Sequence, residues 1–150
     1  MSNNKQIEIL KSFARAWFGN SQQHSIHAEI IRQQGFHKLA DKMQEEANGE
    51  WQEAQRVNAR LLELGVTPEV AIDDYPVFTE VRDQLEYDLK EGYAGMTALN
   101  EAVRAFSDDY ITRRMFEEFI VDEQEHTNWL AEHLGLIEKI GYQNYLMKQM

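Results

Sequence analysis

Apolar residues recur at three- and four-residue steps through four long segments of the chain, which is the period of an α-helix. The predicted helices span roughly 5–34, 36–65, 79–106 and 108–135. Gly35 marks a turn between the first two, and a connection containing Pro68 and Pro76 separates the second from the third. Ser107, followed by two aspartates, predicts the N-cap and first turn of the fourth helix. The closing segment EKIGYQNYLMKQM predicts a short fifth helix.

The order of these elements predicts an all-α fold, a four-helix bundle with one long crossover and a short C-terminal fifth helix. Only two prolines and eight glycines interrupt a composition rich in straight-chain residues, which lose little rotamer freedom in a helix. A chain of 150 residues is long enough for one continuous core. We therefore expect a single domain over residues 1–150.

Polar residues interrupt the apolar stripe of every predicted helix near its middle. An isolated ionised carboxylate in a core costs several kcal/mol or more unless it is paired or bound to a metal. The interrupting residues are Asn20, Ser21 and His24 on the first helix, Glu50 and Glu53 on the second, Asp88 and Gly92 on the third, and Glu123 and His126 on the fourth. Four polar interruptions at one level of a bundle predict a shared site.

Two of these stripes carry a pair of metal-capable side chains three residues apart. Glu123-x-x-His126 and Glu50-x-x-Glu53 each place both side chains on one helix face. Bundles with carboxylate-bridged metal pairs use a Glu from each of two helices and Glu-x-x-His from each of the other two. The spacing predicts a dimetal site at these four residues. A structural alternative stays open, because rotating either helix by one residue would turn Glu50 or Glu123 towards water.

Composition and charge narrow the chemistry of that site. The absence of cysteine leaves only His, Asp and Glu as metal ligands, which favours hard or borderline cations. A net charge of −11 argues against nucleic-acid binding, which rests on Lys and Arg neutralising phosphates. The sequence MSNNKQIEIL lacks a signal-peptide core, and no apolar run approaches the roughly 18 residues of a membrane span. We expect a cytoplasmic protein without membrane contact.

Three segments resemble the bacterioferritins. FIVDEQEHTNWLAEHLGLIEKIGYQNYLMKQM is similar to their C-terminal part, QGFHKLADKMQEEANGEWQEAQRVNARLLELG to their second helix, and HAEIIRQQGF to the end of their first. The resemblance implies a ferritin-like bundle that forms homodimers and assembles into a hollow shell. It also implies a di-iron centre within each subunit that oxidises Fe²⁺ with O₂ or peroxide, so that ferric mineral collects inside. Glu50 and Glu123 match the bridging carboxylates, and His126 matches one histidine ligand.

The chain departs from the bacterioferritin pattern at several of these positions. Glu53 stands in place of the second histidine, and Trp17 and Gly92 align with the terminal carboxylates of the first and third helices. Trp51 replaces the methionine that ligates haem in the family, so haem is doubtful here. Three neighbouring side chains are candidate replacement ligands: His24, Asp88 and Glu91.

These departures leave three functional hypotheses. The leading one is Fe²⁺ oxidation and iron storage by the chain itself. The second is a structural shell subunit with an impaired centre, which co-assembles with a catalytic partner subunit. The third is a dimetal carboxylate oxidase of another specificity, with a pocket opened by Gly92.

Overall fold

The computed structural model describes residues 3–150, and within that range it contains five α-helices and no β-strand. The helices are α1 (Asn4–Gln33), α2 (His37–Glu63), α3 (Val81–Ala105), α4 (Tyr110–Ile140) and α5 (Tyr142–Met147). Helices α1 and α2 pack as one pair and α3 and α4 as the other, with a crossover over residues 64–80 between the pairs. Among the described residues, no helix combines the length and apolar character needed to cross a membrane. The predicted all-α bundle with one long crossover is confirmed.

Local signals set the ends of α1. The Asn3 side chain accepts a hydrogen bond from the Gln6 backbone N–H at 2.8 Å, while Gln6 Oε1 accepts one from the Asn3 N–H at 3.1 Å. This capping box satisfies two donors that a helix start leaves unpaired. At the other end, Gly35 adopts a φ of +94°, a left-handed conformation that favours glycine and stops the helix where the sequence predicted the turn.

The boundaries of α4 differ from the prediction. Its N-cap is Asp109 and not Ser107, because the Asp109 carboxylate accepts the Thr112 N–H at 3.1 Å and is also held by Arg60. The helix continues to Ile140 instead of ending near residue 135, and α5 therefore begins at residue 142 instead of 138. The extra turn buries Ile137 in the core, which stabilises helix beyond the predicted end.

The core consists of two apolar clusters with a polar layer between them. One cluster includes Trp17 of α1, Ala54 of α2, Leu99 of α3 and Phe119 of α4. The second, nearer the α5 end, contains the following residues from the same helices: Ala28, Met43, Leu85 and Leu130. The interrupting residues predicted from the four stripes lie in sequence between these two sets, so the clusters can stabilise the fold while the layer carries charge.

The crossover runs along α1 and is tied to it by four hydrogen bonds. Arg15 O accepts the Asp73 N–H at 3.1 Å, and His27 Nε2 accepts the Phe78 N–H at 3.0 Å. The side-chain amides of Gln23 and Gln34 donate to the carbonyls of Pro76 and Thr79 at 2.7 and 2.8 Å. These contacts hold the crossover against the polar layer.

Close packing at Gly19 gives a test of how tightly the crossover is fixed. A Cβ at this position would overlap the Asp73 carbonyl oxygen and lie 2.6 Å from Tyr75 Cε2. We expect Gly19→Ala to lower the free energy of unfolding by about 1–3 kcal/mol, because the backbone of the crossover must move. Urea denaturation followed by circular dichroism measures the change.

Gly135→Ala is the matched control. Gly135 also lies inside a helix, but nothing stands within 4 Å of its missing Cβ. The control should be stabilised by about 0.5–1 kcal/mol, the usual gain when alanine replaces glycine in a helix. Equal effects of the two substitutions would contradict the close contact between α1 and the crossover.

Candidate metal centre

His24 of α1 lies between two carboxylates at the centre of the polar layer. Its Nδ1 is 2.5 Å from Glu50 Oε1 on α2, and its Nε2 is 3.1 Å from Asp88 Oδ1 on α3. Burial alone would lower the pKa of His24, but the two carboxylates outweigh burial and hold that pKa well above its usual value. The charged ring therefore links three helices as a counter-cation.

A second imidazole stands on the other side of the layer. His126 Nδ1 of α4 is 3.2 Å from Glu46 Oε2 of α2, and the His24 and His126 rings are 6.5 Å apart. Although burial opposes both changes, the attraction within this pair raises the pKa of His126 and lowers that of Glu46 to about 2, with help from Lys42. Glu46 and His126 thus form an ion pair between α2 and α4.

Two further carboxylates lie in the layer without a full counter-charge. Burial raises the pKa of Glu53 to about 9, and repulsion from Glu50 and Glu123 contributes in the same direction. Burial also raises the pKa of Glu123 to about 7, where attraction to His126 is opposed by repulsion from Glu50. A divalent cation among these oxygens would remove the repulsion and favour the ionised forms.

Helix α3 contributes one buried carboxylate and a close approach to α4. Asp88 is 2% exposed in its side chain, and its Oδ2 has no hydrogen-bond partner. One turn further on, a Cβ at Gly92 would lie 2.7 Å from Thr127 Cγ2 and 3.2 Å from Glu123 Oε1. Glu123 therefore reaches across to the space beside Gly92.

The layer opens into two cavities on opposite sides. A cavity of about 230 Å³ between α1 and α3 is covered by Tyr75 and Tyr87. A wider one of about 520 Å³ lies between α2 and α4 and is lined by seven carboxylates. Glu50, Glu123 and His126 line both cavities, so they form the wall between them. Cations can reach this wall from either side.

The structure brings most of the predicted site residues into this layer. Glu50 and Glu123 both turn towards the core, so the alternative in which either faces water does not hold; the Glu50 side chain is 16% exposed. Glu91, by contrast, is exposed and lies only at the rim of the smaller cavity. The residues within the layer are His24, Glu50, Glu53, Asp88, Glu123 and His126.

Glu46 was missed by the sequence analysis. It lies four residues before Glu50 and therefore one turn along the same side of α2, so the i, i+4 rule would have found it. Tyr75, which covers the smaller cavity, had no comparable signal, because it lies in the crossover, which has no regular period.

Two tryptophans stand at positions where the bacterioferritin pattern has metal or haem ligands. Trp17 is buried in the first apolar cluster, with its ring 4.7 Å from that of Phe119. Trp51 is 51% exposed on α2, and its ring lies 4.8 Å from that of Phe18. Neither side chain offers a carboxylate or sulfur donor to a metal.

The side chains of the layer carry the oxygen and imidazole donors that a hard or borderline cation binds, but these donors do not surround a common point. Within residues 3–150, no three His, Asp or Glu side chains converge closely enough to hold a metal ion. The unpartnered Asp88 Oδ2 and the uncompensated Glu53 and Glu123 are nevertheless the groups that an ion would satisfy. Ion capture therefore requires side-chain rotation around helices that already stand in place.

The chain is similar to known proteins over nearly its whole length. The Ferritin-like domain model matches residues 9–140. The bacterial ferritin of Synechocystis sp. PCC 6803 is 36% identical over 132 residues, covering 85% of each chain. That of Pseudomonas aeruginosa is 31% identical over 147 residues, covering 96% of each chain. The bacterioferritin of Brucella melitensis is 28% identical over 145 residues, covering 94% of this chain and 89% of the relative.

The fold of the chain also matches that of a solved structure. Rhodobacter capsulatus bacterioferritin, determined with a metal-free dinuclear site and haem iron, superposes with a TM-score of 0.94 at 26% identity. The match covers 99% of this chain and 94% of that one. The similarity therefore includes the helices that carry the polar layer.

The raised pKa of Glu53 predicts a pH-dependent instability of the metal-free protein. A carboxyl that titrates near pH 9 when folded and near 4.5 when unfolded destabilises the fold progressively as pH rises between these values. Glu53→Gln should therefore change stability little near pH 4.5 and stabilise by about 1–2 kcal/mol at pH 8, since partial solvation reduces the full effect. Urea unfolding at both pH values measures it.

Glu45→Gln serves as the control, since Glu45 is an exposed carboxylate of the same cavity. It should change the free energy of unfolding by less than about 0.5 kcal/mol at either pH. A Glu53→Gln effect that is independent of pH would show that Glu53 is not held protonated in the folded protein.

Proposed function

Since the chain belongs to the bacterioferritin family of ferritin-like proteins, we propose that it binds and stores iron. Fe²⁺ is the substrate: it enters the polar layer, is oxidised there by O₂ or peroxide, and collects as ferric mineral inside an oligomeric shell. The observation that carries this proposal is the pair of uncompensated carboxylates, Glu53 and Glu123, beside a cavity lined by seven carboxylates.

The roles of the residues follow from their places in the layer. Glu50 and Glu123 line both cavities, so they are suited to bridge two ions, with His126 on one ion and Glu53 on the other. Two Fe²⁺ ions supply two electrons, which together with two protons reduce one O₂ to H₂O₂. Oxygen and imidazole donors suit iron and also admit manganese or zinc. His126 Nδ1 faces Glu46 at 3.2 Å, so metal binding through this atom would require the ring to leave that carboxylate.

The assembly we propose is a homo-oligomeric shell built from dimers. Haem bound through position 51 is not part of the proposal, because the Trp51 indole is a hydrogen-bond donor without a lone pair for iron. Half of the Trp51 side chain is exposed in the single chain, on the surface where the resemblance places the dimer contact.

A second function is favoured by the packing around α1 and α3. Trp17 fills its position with apolar surface, and Thr127 and Glu123 crowd the space beside Gly92. A centre repacked in this way would suit a structural subunit that binds iron weakly and co-assembles with a catalytic partner subunit. Iron oxidation by the pure chain separates the two functions.

The test is aerobic oxidation of Fe²⁺ by the metal-free protein, followed by absorbance at increasing iron per chain. We expect a fast phase that saturates near two irons per chain. The double variant Glu50→Ala, Glu123→Ala should lose this phase, because it removes the two carboxylates that line both cavities.

A double variant on the surface controls for loss of charge. Glu101 and Glu132 are exposed, so Glu101→Ala, Glu132→Ala removes two carboxylates without touching the layer. Its curves should match the unmodified protein. Slow, non-saturating oxidation by the unmodified chain, equal to that of the Glu50, Glu123 variant, would overturn the ferroxidase proposal and favour the structural subunit.

A further inference from the structure

We infer that Asp88 is the α3 ligand of a divalent cation held in the cavity between α1 and α3, on one side of the polar layer. The inference rests on the proposed iron function, and it names the residue that completes the site where position 92 has no side chain. It also separates Asp88 from Glu91, the other acidic candidate on this helix.

The first observation is the state of the Asp88 carboxylate. One oxygen, Oδ1, is held by His24 Nε2 at 3.1 Å, whereas Oδ2 is buried without a hydrogen-bond partner. A buried carboxylate oxygen without a partner is costly, so such atoms are usually satisfied. Among the described residues, the lining of the adjacent cavity contains no lysine or arginine. No lysine or arginine of the lining therefore supplies a counter-charge to Oδ2, and a divalent cation in the cavity would supply one.

The second observation is the acidic lining of the cavity between α1 and α3. Asp88 and Gly92 are four residues apart, so they share the face of α3 that lines this cavity. Glu123 Oε1 of α4 lies 3.2 Å from the position of the missing Gly92 Cβ, and Glu50 lines the same cavity from α2. Oxygens from three helices thus border one small space, as a manganese or ferrous ion prefers. Glu91 lies only at the rim of this cavity and is exposed.

His24 is a positioning residue in this arrangement. Its ring holds one oxygen each of Asp88 and Glu50, and so fixes the orientation of both carboxylates. If Asp88 acted only by orienting His24, replacing His24 would have the same effect on metal binding as replacing Asp88. A glutamine at position 24 can still donate one hydrogen bond towards Asp88, so the two roles can be separated.

The experiment is calorimetric titration of the metal-free, full-length protein with Mn²⁺. This ion binds oxygen ligands and, unlike Fe²⁺, is not oxidised by O₂ during the titration. The variants are Asp88→Asn, Glu91→Gln, His24→Gln and Glu53→Gln, with the exposed α3 residue Glu101→Gln as the charge-matched control. Circular dichroism and unfolding curves check that each variant is folded. Asp88→Asn should weaken one Mn²⁺ site by at least about tenfold or abolish it. Glu91→Gln and Glu101→Gln should keep that site within about threefold of its original affinity, whereas His24→Gln should weaken it, but by less than Asp88→Asn does.

The outcomes separate this inference from the proposed function. Loss of affinity in Glu53→Gln without loss in Asp88→Asn would leave the iron site in place and overturn the role of Asp88. Loss in Asp88→Asn alone would support Asp88 as a ligand and contradict the place of Glu53 in the proposed site. Equal loss in Asp88→Asn and His24→Gln would reduce Asp88 to an orienting residue. No Mn²⁺ binding by the unmodified protein would overturn both.

Discussion

Buried carboxylates in the middle of the bundle depend on two imidazole rings for their counter-charge. His24 lies between Glu50 and Asp88, and His126 faces Glu46, so three of the carboxylate oxygens at this level have a positive neighbour. Glu53 and Glu123 do not share fully in this compensation, and burial with mutual repulsion raises the pKa of both. The fold tolerates this excess of negative charge because the apolar clusters on either side supply its stability.

The separation of the core into apolar clusters and a polar layer also connects the fold to its proposed chemistry. The layer is fixed by helix backbones that are packed on both sides, and in the proposed function a metal ion supplies the positive charge that the carboxylates lack. Cavities on both sides give access to a common wall of Glu50, Glu123 and His126. Hydrogen bonds from α1 hold the crossover over the smaller cavity, so its entrance is formed by structure and not by a free loop.

Much of this architecture could be predicted from the sequence, because helical periodicity records which face of each helix is buried. The i, i+3 spacing predicted that Glu50 shares a helix face with Glu53, and Glu123 with His126. In the structure all four side chains line the same cavity. The contact of His24 with Asp88 joins residues 64 positions apart and depends on rotamers, which no local pattern specifies. Glu91 was a weaker candidate for a physical reason: one residue along a helix is a rotation of about 100°, enough to turn the side chain from the core to the rim.

The most direct test of the central claim, that the polar layer is a cation site, is anomalous diffraction at the iron edge from crystals soaked anaerobically in Fe²⁺. The account predicts anomalous peaks inside the bundle, in contact with Glu50 and Glu123, and rotation of His126 away from Glu46. Well-ordered crystals with peaks only on exposed carboxylates, and with the His24 and His126 pairs unchanged, would contradict it.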